Sequence, residues 1–240
     1  MNTFTGVILA GGKSSRMGQD KSALLFKGNS FLHHCKRLLI EAGASDIIIS
    51  ANKKAGVPDI YPNCGPLSGI HAALQQTSHS LLIMPVDMPL LTCEQLTPLV
   101  THTQRTTEAL YYERFPLPLF LANTEKVRHI LSNILEKKDN LSIRSLIAQL
   151  EHEKLPVSNS HFFSNVNTMD DYKSIVVDLY WSSMTFTVRF CKIVQHALDN
   201  HCQLTPTYHL TNAKSANTNS ATRATPNTTK LINVPLVKSR

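Results

Sequence analysis

Three short apolar runs near the start of this 240-residue chain are separated by one helical segment each. "FTGVIL" begins at Phe4, "DIIISAN" at Asp46 and "SLLIMPVD" at Ser80. Each is bounded by turn residues and built from β-branched or aliphatic side chains, the pattern of a buried strand. Between the first two lies "SFLHHCKRLLIEAG", a helix with Ser30 as its N-cap and Gly43 just beyond its end. Between the second and third, "GPLSGIHAALQQT" is a loop that runs into a helix. Alternation at this spacing predicts βαβ units, hence an α/β fold with a mostly parallel sheet flanked by helices.

The chain beyond these runs fits the same scheme. Val127, Ile130, Leu131, Ile134 and Leu135 recur at helical spacing after Thr124. Ile143, Leu146, Ile147 and Leu150 do so after Ser142. "EALYYE" and "PLPLFLAN" read as strands, and the prolines of the second predict an edge position. Residues 1–173 are therefore expected to form one domain, and 174–240 a basic extension. That extension contains the Asn-, Thr-, Ser- and Ala-rich "TNAKSANTNSATRATPNTTK", which lacks an apolar face, and is expected to be largely disordered.

Charge and cysteine content narrow the function. The formal charge of +7 is concentrated in the extension, where seven Lys and Arg face two acidic residues; residues 1–173 hold 17 against 15. A nearly neutral body offers no basic footprint for nucleic acid. No apolar stretch is long enough to span a membrane, and the N-terminus lacks the charged region of a secretory signal. Five scattered cysteines without a C-x-x-C pair suit a cytoplasmic protein with reduced thiols. His196, His201 and Cys202 match no strong zinc spacing.

In a parallel sheet, ligands bind beyond the C-terminal ends of the strands. There the first run leads into "AGGKSSRMGQDK", with three glycines and the cations Arg16 and Lys21. The spacing fits neither a P-loop nor a dinucleotide fingerprint. Bare backbone at Gly11 and Gly12 offers N–H groups to an anion, Arg16 a planar fork, and Lys21 a point charge. A tight turn with solvated cations is the plainer alternative, but the preceding strand favours phosphate. Asp87 closes the third run at the same edge, and one carboxylate beside phosphates is what Mg²⁺ requires. A turn or helix-cap role for Asp87 is the alternative reading. Together these features describe a nucleoside triphosphate with its metal.

The stretch Leu9–Lys21, L-A-G-G-x-S-x-R-M-G-x-D-K, resembles the signature loop of the molybdenum cofactor guanylyltransferases. "GPLSG" at Gly65–Gly69, "VDMPLL" at Val86–Leu91 and "NVNT" at Asn165–Thr168 are similar to further family blocks in the same order. Residues 4–173 carry the resemblance. Val86 stands where the family often has Cys, and Met169 where proline is frequent. The resemblance implies a Rossmann-like nucleotidyltransferase fold and transfer of GMP from GTP to molybdopterin, with pyrophosphate released. It places the nucleotide on Leu9, Ala10, Gly11, Gly12, Lys21, Asp59 and Asp87. Arg16, Lys21 and Asp87 take the catalytic roles, and Asp87 holds Mg²⁺. Arg144, Asn165 and Asn167 face molybdopterin. GTP and molybdopterin are the implied small-molecule partners, alongside proteins that deliver molybdopterin and receive the product.

Two alternatives stay open at this level. A cytidylyltransferase of the same cofactor, or a sugar-phosphate nucleotidyltransferase, shares the chemistry, though the cytidylyl branch reads L-A-A-G where this chain has Leu9–Gly12. A non-catalytic nucleotide-binding adaptor with a partner-recruiting tail is the other, and the set Arg16, Lys21 and Asp87 argues against it.

Overall fold

The computed structural model describes residues 3–11, 21–52, 56–102, 107–138 and 140–183, with side chains to 177. All but the end of the last helix belongs to the first of two compact units, Met1–Val176. Within it, β1 (Phe4–Leu9), β4 (Asp46–Ser50), β5 (Ser80–Pro85), β6 (Ala109–Tyr112), β7 (Phe115–Leu121) and β8 (His152–Leu155) form one sheet in the order β4-β1-β5-β7-β6-β8. A small hairpin pairs β2 (Leu25–Phe26) with β3 (Asn29–Ser30). The helices are α1 (Phe31–Glu41), α2 (Pro66–Leu74), α3 (Cys93–Thr101), α4 (Glu125–Lys137), α5 (Ile143–Ile147) and α6 (Met169–Ser183). The α/β architecture is the one the alternation predicts. Among the described residues no helix is long and apolar enough to cross a membrane.

Strand periodicity sends alternate residues of β1 to opposite faces. Val7 and Leu9 join the core formed with Leu67 and Ile70 of α2, Leu131 and Leu135 of α4, and Leu146 of α5. Gly6 faces the other way, so close to α1 that a Cβ there would come within 2.9 Å of Leu39. Each such fully buried Leu or Ile contributes roughly 1.5–3 kcal/mol. The helices begin where side chains can satisfy their free N–H groups. Ser30, Thr124 and Ser142 accept from the amides of His33, Val127 and Ser145.

β1 pairs in parallel with both β4 and β5, and β6 with β8; only β7 runs antiparallel. The chain leaves β1 toward β4 on one side and leaves β5 toward β7 and β6 on the other. Neighbouring strands whose connections diverge open a crevice between their C-terminal ends. That crevice lies between Leu9 and Pro85.

One strand departs from expectation. β7 is central rather than an edge, lying between β5 and β6. Its ladder to β5 begins only at Leu119, so Pro116 and Pro118 fall beyond it, where no neighbour needs their missing N–H. On the β6 side the register shifts between Tyr111 and Tyr112, and the prolines occupy that irregularity.

Candidate active site

The chain leaves β1 through Ala10, whose N–H donates to the Ser50 carbonyl at 3.0 Å, while Val86 N–H donates to Leu9 at 3.1 Å. These bonds extend the sheet one residue past its strands and fix the backbone on which the site is built. Val86, at the position where the resembling family often has Cys, is buried as a packed apolar residue.

Asp87 follows in a turn and caps no helix; α3 starts later, with Thr92 and Gln95 forming a reciprocal cap. The Asp87 carboxylate accepts from Lys21 Nζ at 3.3 Å. The same ammonium donates to Asn167 Oδ1 at 2.9 Å. Three residues far apart in sequence thus meet around one cation. Their backbone is held as firmly: Val166 N–H donates to the Asp87 carbonyl at 2.8 Å. Asp171 accepts the amides of Asn167 (2.9 Å) and Thr168 (2.8 Å), bonds that hold its carboxyl below the usual range. Met169 therefore opens α6 without proline. Behind Asp87, burial first and the Asp87 charge second push the Cys35 thiol up to about 12, so this neighbour stays neutral.

Two cavities share the strip Leu9, Ala10, Gly11 and Pro66. The first, about 510 Å³, is lined also by Lys21, Asp87, Arg114, Phe115 and Asn165. The second, about 520 Å³, is lined by Asn52, Asp59, Asn63 and Gly65. Asp59 is fixed in it by a reciprocal pair: Asn52 Nδ2 donates to Asp59 Oδ2 at 2.9 Å, and Asp59 N–H to Asn52 Oδ1 at 2.8 Å. Gly65, with φ 62° and ψ −150°, ends this wall in a conformation open essentially to glycine alone. It starts α2 without a side-chain cap, so the positive end of the helix dipole remains at the junction of the cavities, although Pro66 has no N–H and Ser68 N–H already donates to the Gly65 carbonyl at 3.3 Å.

Of the residues expected from sequence, Leu9, Ala10, Gly11, Lys21, Asp87 and Asn165 line the first cavity, and Asn167 joins them through Lys21. Asp59 lies in the second. Arg144 lines neither among the described residues; its guanidinium donates to the carbonyl of Arg114 at the β6–β7 turn. Gly12 and Arg16 lie outside the described residues, as do His196, His201, Cys202 and nearly all of the expected extension. Sequence reasoning assigned no role to Asn52 or Arg114. Asn52 closes the second apolar run at the ligand edge, a visible signal. Arg114 had only the polar pair "ER" between two apolar strands as a clue.

A crevice of this kind, with glycine backbone, a cation and a carboxylate at its mouth, defines a nucleotide-handling α/β enzyme. The MobA-like NTP transferase domain family matches residues 6–154. The molybdenum cofactor guanylyltransferase of Xanthomonas euvesicatoria is 34% identical over 180 residues, 72% of this chain and 94% of that relative. Among solved structures, molybdopterin-guanine dinucleotide biosynthesis protein A from Archaeoglobus fulgidus shares the fold at a TM-score of 0.59 and 21% identity, over 71% of this chain and 96% of its own. A Mycobacterium tuberculosis protein solved with manganese does so at 0.53 and 17%, over 72% and 97%. The chain belongs to the MobA-like NTP transferase family and is a nucleotidyltransferase.

Proposed function

We propose that the chain transfers GMP from GTP to molybdopterin, giving the guanine dinucleotide cofactor and pyrophosphate. The observation that carries this reading is the meeting of Lys21, Asp87 and Asn167 beside the strip Leu9–Gly11 shared by two cavities. The Asn52–Asp59 cavity takes the nucleoside, and the Lys21–Asp87 cavity takes the acceptor. The phosphate chain crosses Gly11 between them, toward the positive N-terminal end of the α2 dipole.

The attacking atom is an oxygen of the acceptor's phosphate. It forms a bond to the α-phosphorus of GTP as the bond to the bridging oxygen of the β-phosphate breaks, and pyrophosphate leaves. No side-chain nucleophile is needed, so the enzyme acts by alignment and by neutralising charge. Lys21 is placed to stabilise the charge on the transferring and departing phosphates. Asn167 and Asp87 fix its direction in the free protein, and Asp171 fixes Asn167.

Asp87 also suits a divalent cation. It is a hard oxygen donor facing the cavity, and an ammonium ion already sits against it at 3.3 Å. Among the described residues no cluster of three or more His, Cys, Asp or Glu exists. A metal there would rest on one carboxylate plus substrate phosphates and water, the habit of Mg²⁺. Bound at Asp87, it supplies Lewis-acid polarisation of the phosphate oxygens.

Melting curves with GTP, CTP, ATP and UTP, each with and without Mg²⁺, test the reading. Ligand at about a hundred times its dissociation constant adds roughly 2.7 kcal/mol, a shift of about 5–11 °C for a chain of this size. A Mg²⁺-dependent shift with GTP alone is expected. A shift with CTP alone would keep the chemistry and change the product.

A further inference from the structure

The two-residue turn Glu113–Arg114 is held more firmly than a surface connection requires. Glu113 N–H donates to the Leu155 carbonyl at 2.9 Å. Phe115 stacks on Phe163 with ring centroids 4.6 Å apart, and Phe163 packs on Tyr112 at 4.9 Å. The Arg144 guanidinium donates to the Arg114 carbonyl. So anchored, Arg114 holds φ 69°, a left-handed value that favours glycine. A cationic side chain stands where the backbone alone would prefer none.

The residue borders the chemistry. Arg114, Phe115, Pro116 and Leu117 form the β7 wall of the first cavity, whereas Gly11 and Lys21 come from the β1 side. Lys21 is engaged by Asp87 and Asn167. The guanidinium of Arg114 has no carboxylate partner among the described residues, which makes it the uncommitted cation of that wall. It does not line the Asn52–Asp59 cavity. A planar fork of donors at that position matches a phosphate held at the acceptor end.

We propose that Arg114 receives the phosphate of the acceptor substrate, and that Arg144 is a positioning residue acting through the Arg114 backbone. The inference rests on the acceptor's being a phosphate ester, as the proposed function requires. It revises the expectation that Arg144 itself faces molybdopterin.

Glycine suits the left-handed backbone, so Arg114→Gly removes the fork and leaves the turn unstrained. Initial rates of the full chain, with GTP and molybdopterin varied separately, read the effect. In Arg114→Gly, KM for molybdopterin should rise about tenfold or more while KM for GTP stays within about twofold. The Mg²⁺-dependent melting shift with GTP should persist. Arg114→Lys should recover part of the loss, and Arg144→Ala should add nothing to Arg114→Gly. An unchanged KM for molybdopterin, or a rise confined to GTP, would overturn the assignment of Arg114. Full additivity of the two substitutions would overturn the positioning role of Arg144. Absence of GTP turnover in the unsubstituted chain is a separate result, which would remove the function and this inference together.

Discussion

Lys21 and Asp87 are only 18% and 24% exposed and 3.3 Å apart, so the cost of desolvating both charges offsets most of their attraction and the pair contributes under about 1 kcal/mol to stability. Their value lies in charge placed where phosphates react. Lys21→Ala and Asp87→Ala should each lower turnover by about a hundredfold or more, with melting temperatures close to the parent's. Steady-state rates alongside circular dichroism decide this, and near-parental activity in either variant would sink the mechanism. Glu108 shows the opposite balance. Burial raises its carboxyl, but hydrogen bonds from Lys126 at 2.8 Å and from the Glu151 amide at 3.0 Å outweigh that and hold it below the usual range. A depressed carboxylate stabilises above its unfolded value of 4.5, and loses that contribution as pH falls through the lower folded value. Urea midpoints for Glu108→Gln should therefore lie below the parent's at neutral pH and converge with them as the pH falls below 4.5 and through the depressed folded value. At this scale the sequence showed the cations and carboxylates but not their pairings. Lys21 and Asn167 are 146 positions apart, and only the fold brings them to 2.9 Å.

Among the elements, those with local signals were legible and those with long-range causes were not. Ser30, Thr124 and Ser142 announce α1, α4 and α5, because a cap is written within three residues of the helix it starts. α3 escaped notice: Pro98 stands inside it, although the Thr92–Gln95 cap was readable. β8 escaped as well, since "HEKL" carries almost no apolar content and is a strand through its parallel pairing with β6. The centrality of β7 depended on where the β5 ladder ends, which no count of prolines reveals. The packing of α2 on β4 offers a sharper test. A Cβ on Gly69 would meet Ser50 Oγ at 2.0 Å and Ser50 Cβ at 3.0 Å. Gly69→Ala should cost about 1–3 kcal/mol by overpacking. Adding Ser50→Ala should return part of it, and denaturant titration measures both. No destabilisation in the single variant would mean that α2 is free to move off the sheet.

At the scale of the molecule, the expected boundary after residue 173 falls inside α6. Tyr172 donates its hydroxyl to the Leu25 carbonyl at 2.9 Å, and Ile175 is buried. A chain ending at 183 should fold and turn over like the full one. A chain ending at 173 should lose roughly 1.5–3 kcal/mol with the buried isoleucine. Equal melting temperatures for the two truncations would put Ile175 outside the cooperative core. The strip Leu9–Gly11 carries a consequence of its own. A wall common to both cavities puts the two proposed substrates side by side, in reach of direct transfer. If the proposed function holds, GMP passes straight from GTP to the acceptor and is not parked on the protein between two visits. The kinetics should accordingly be sequential, with double-reciprocal lines that intersect through a ternary complex; parallel lines would betray a covalent stopover.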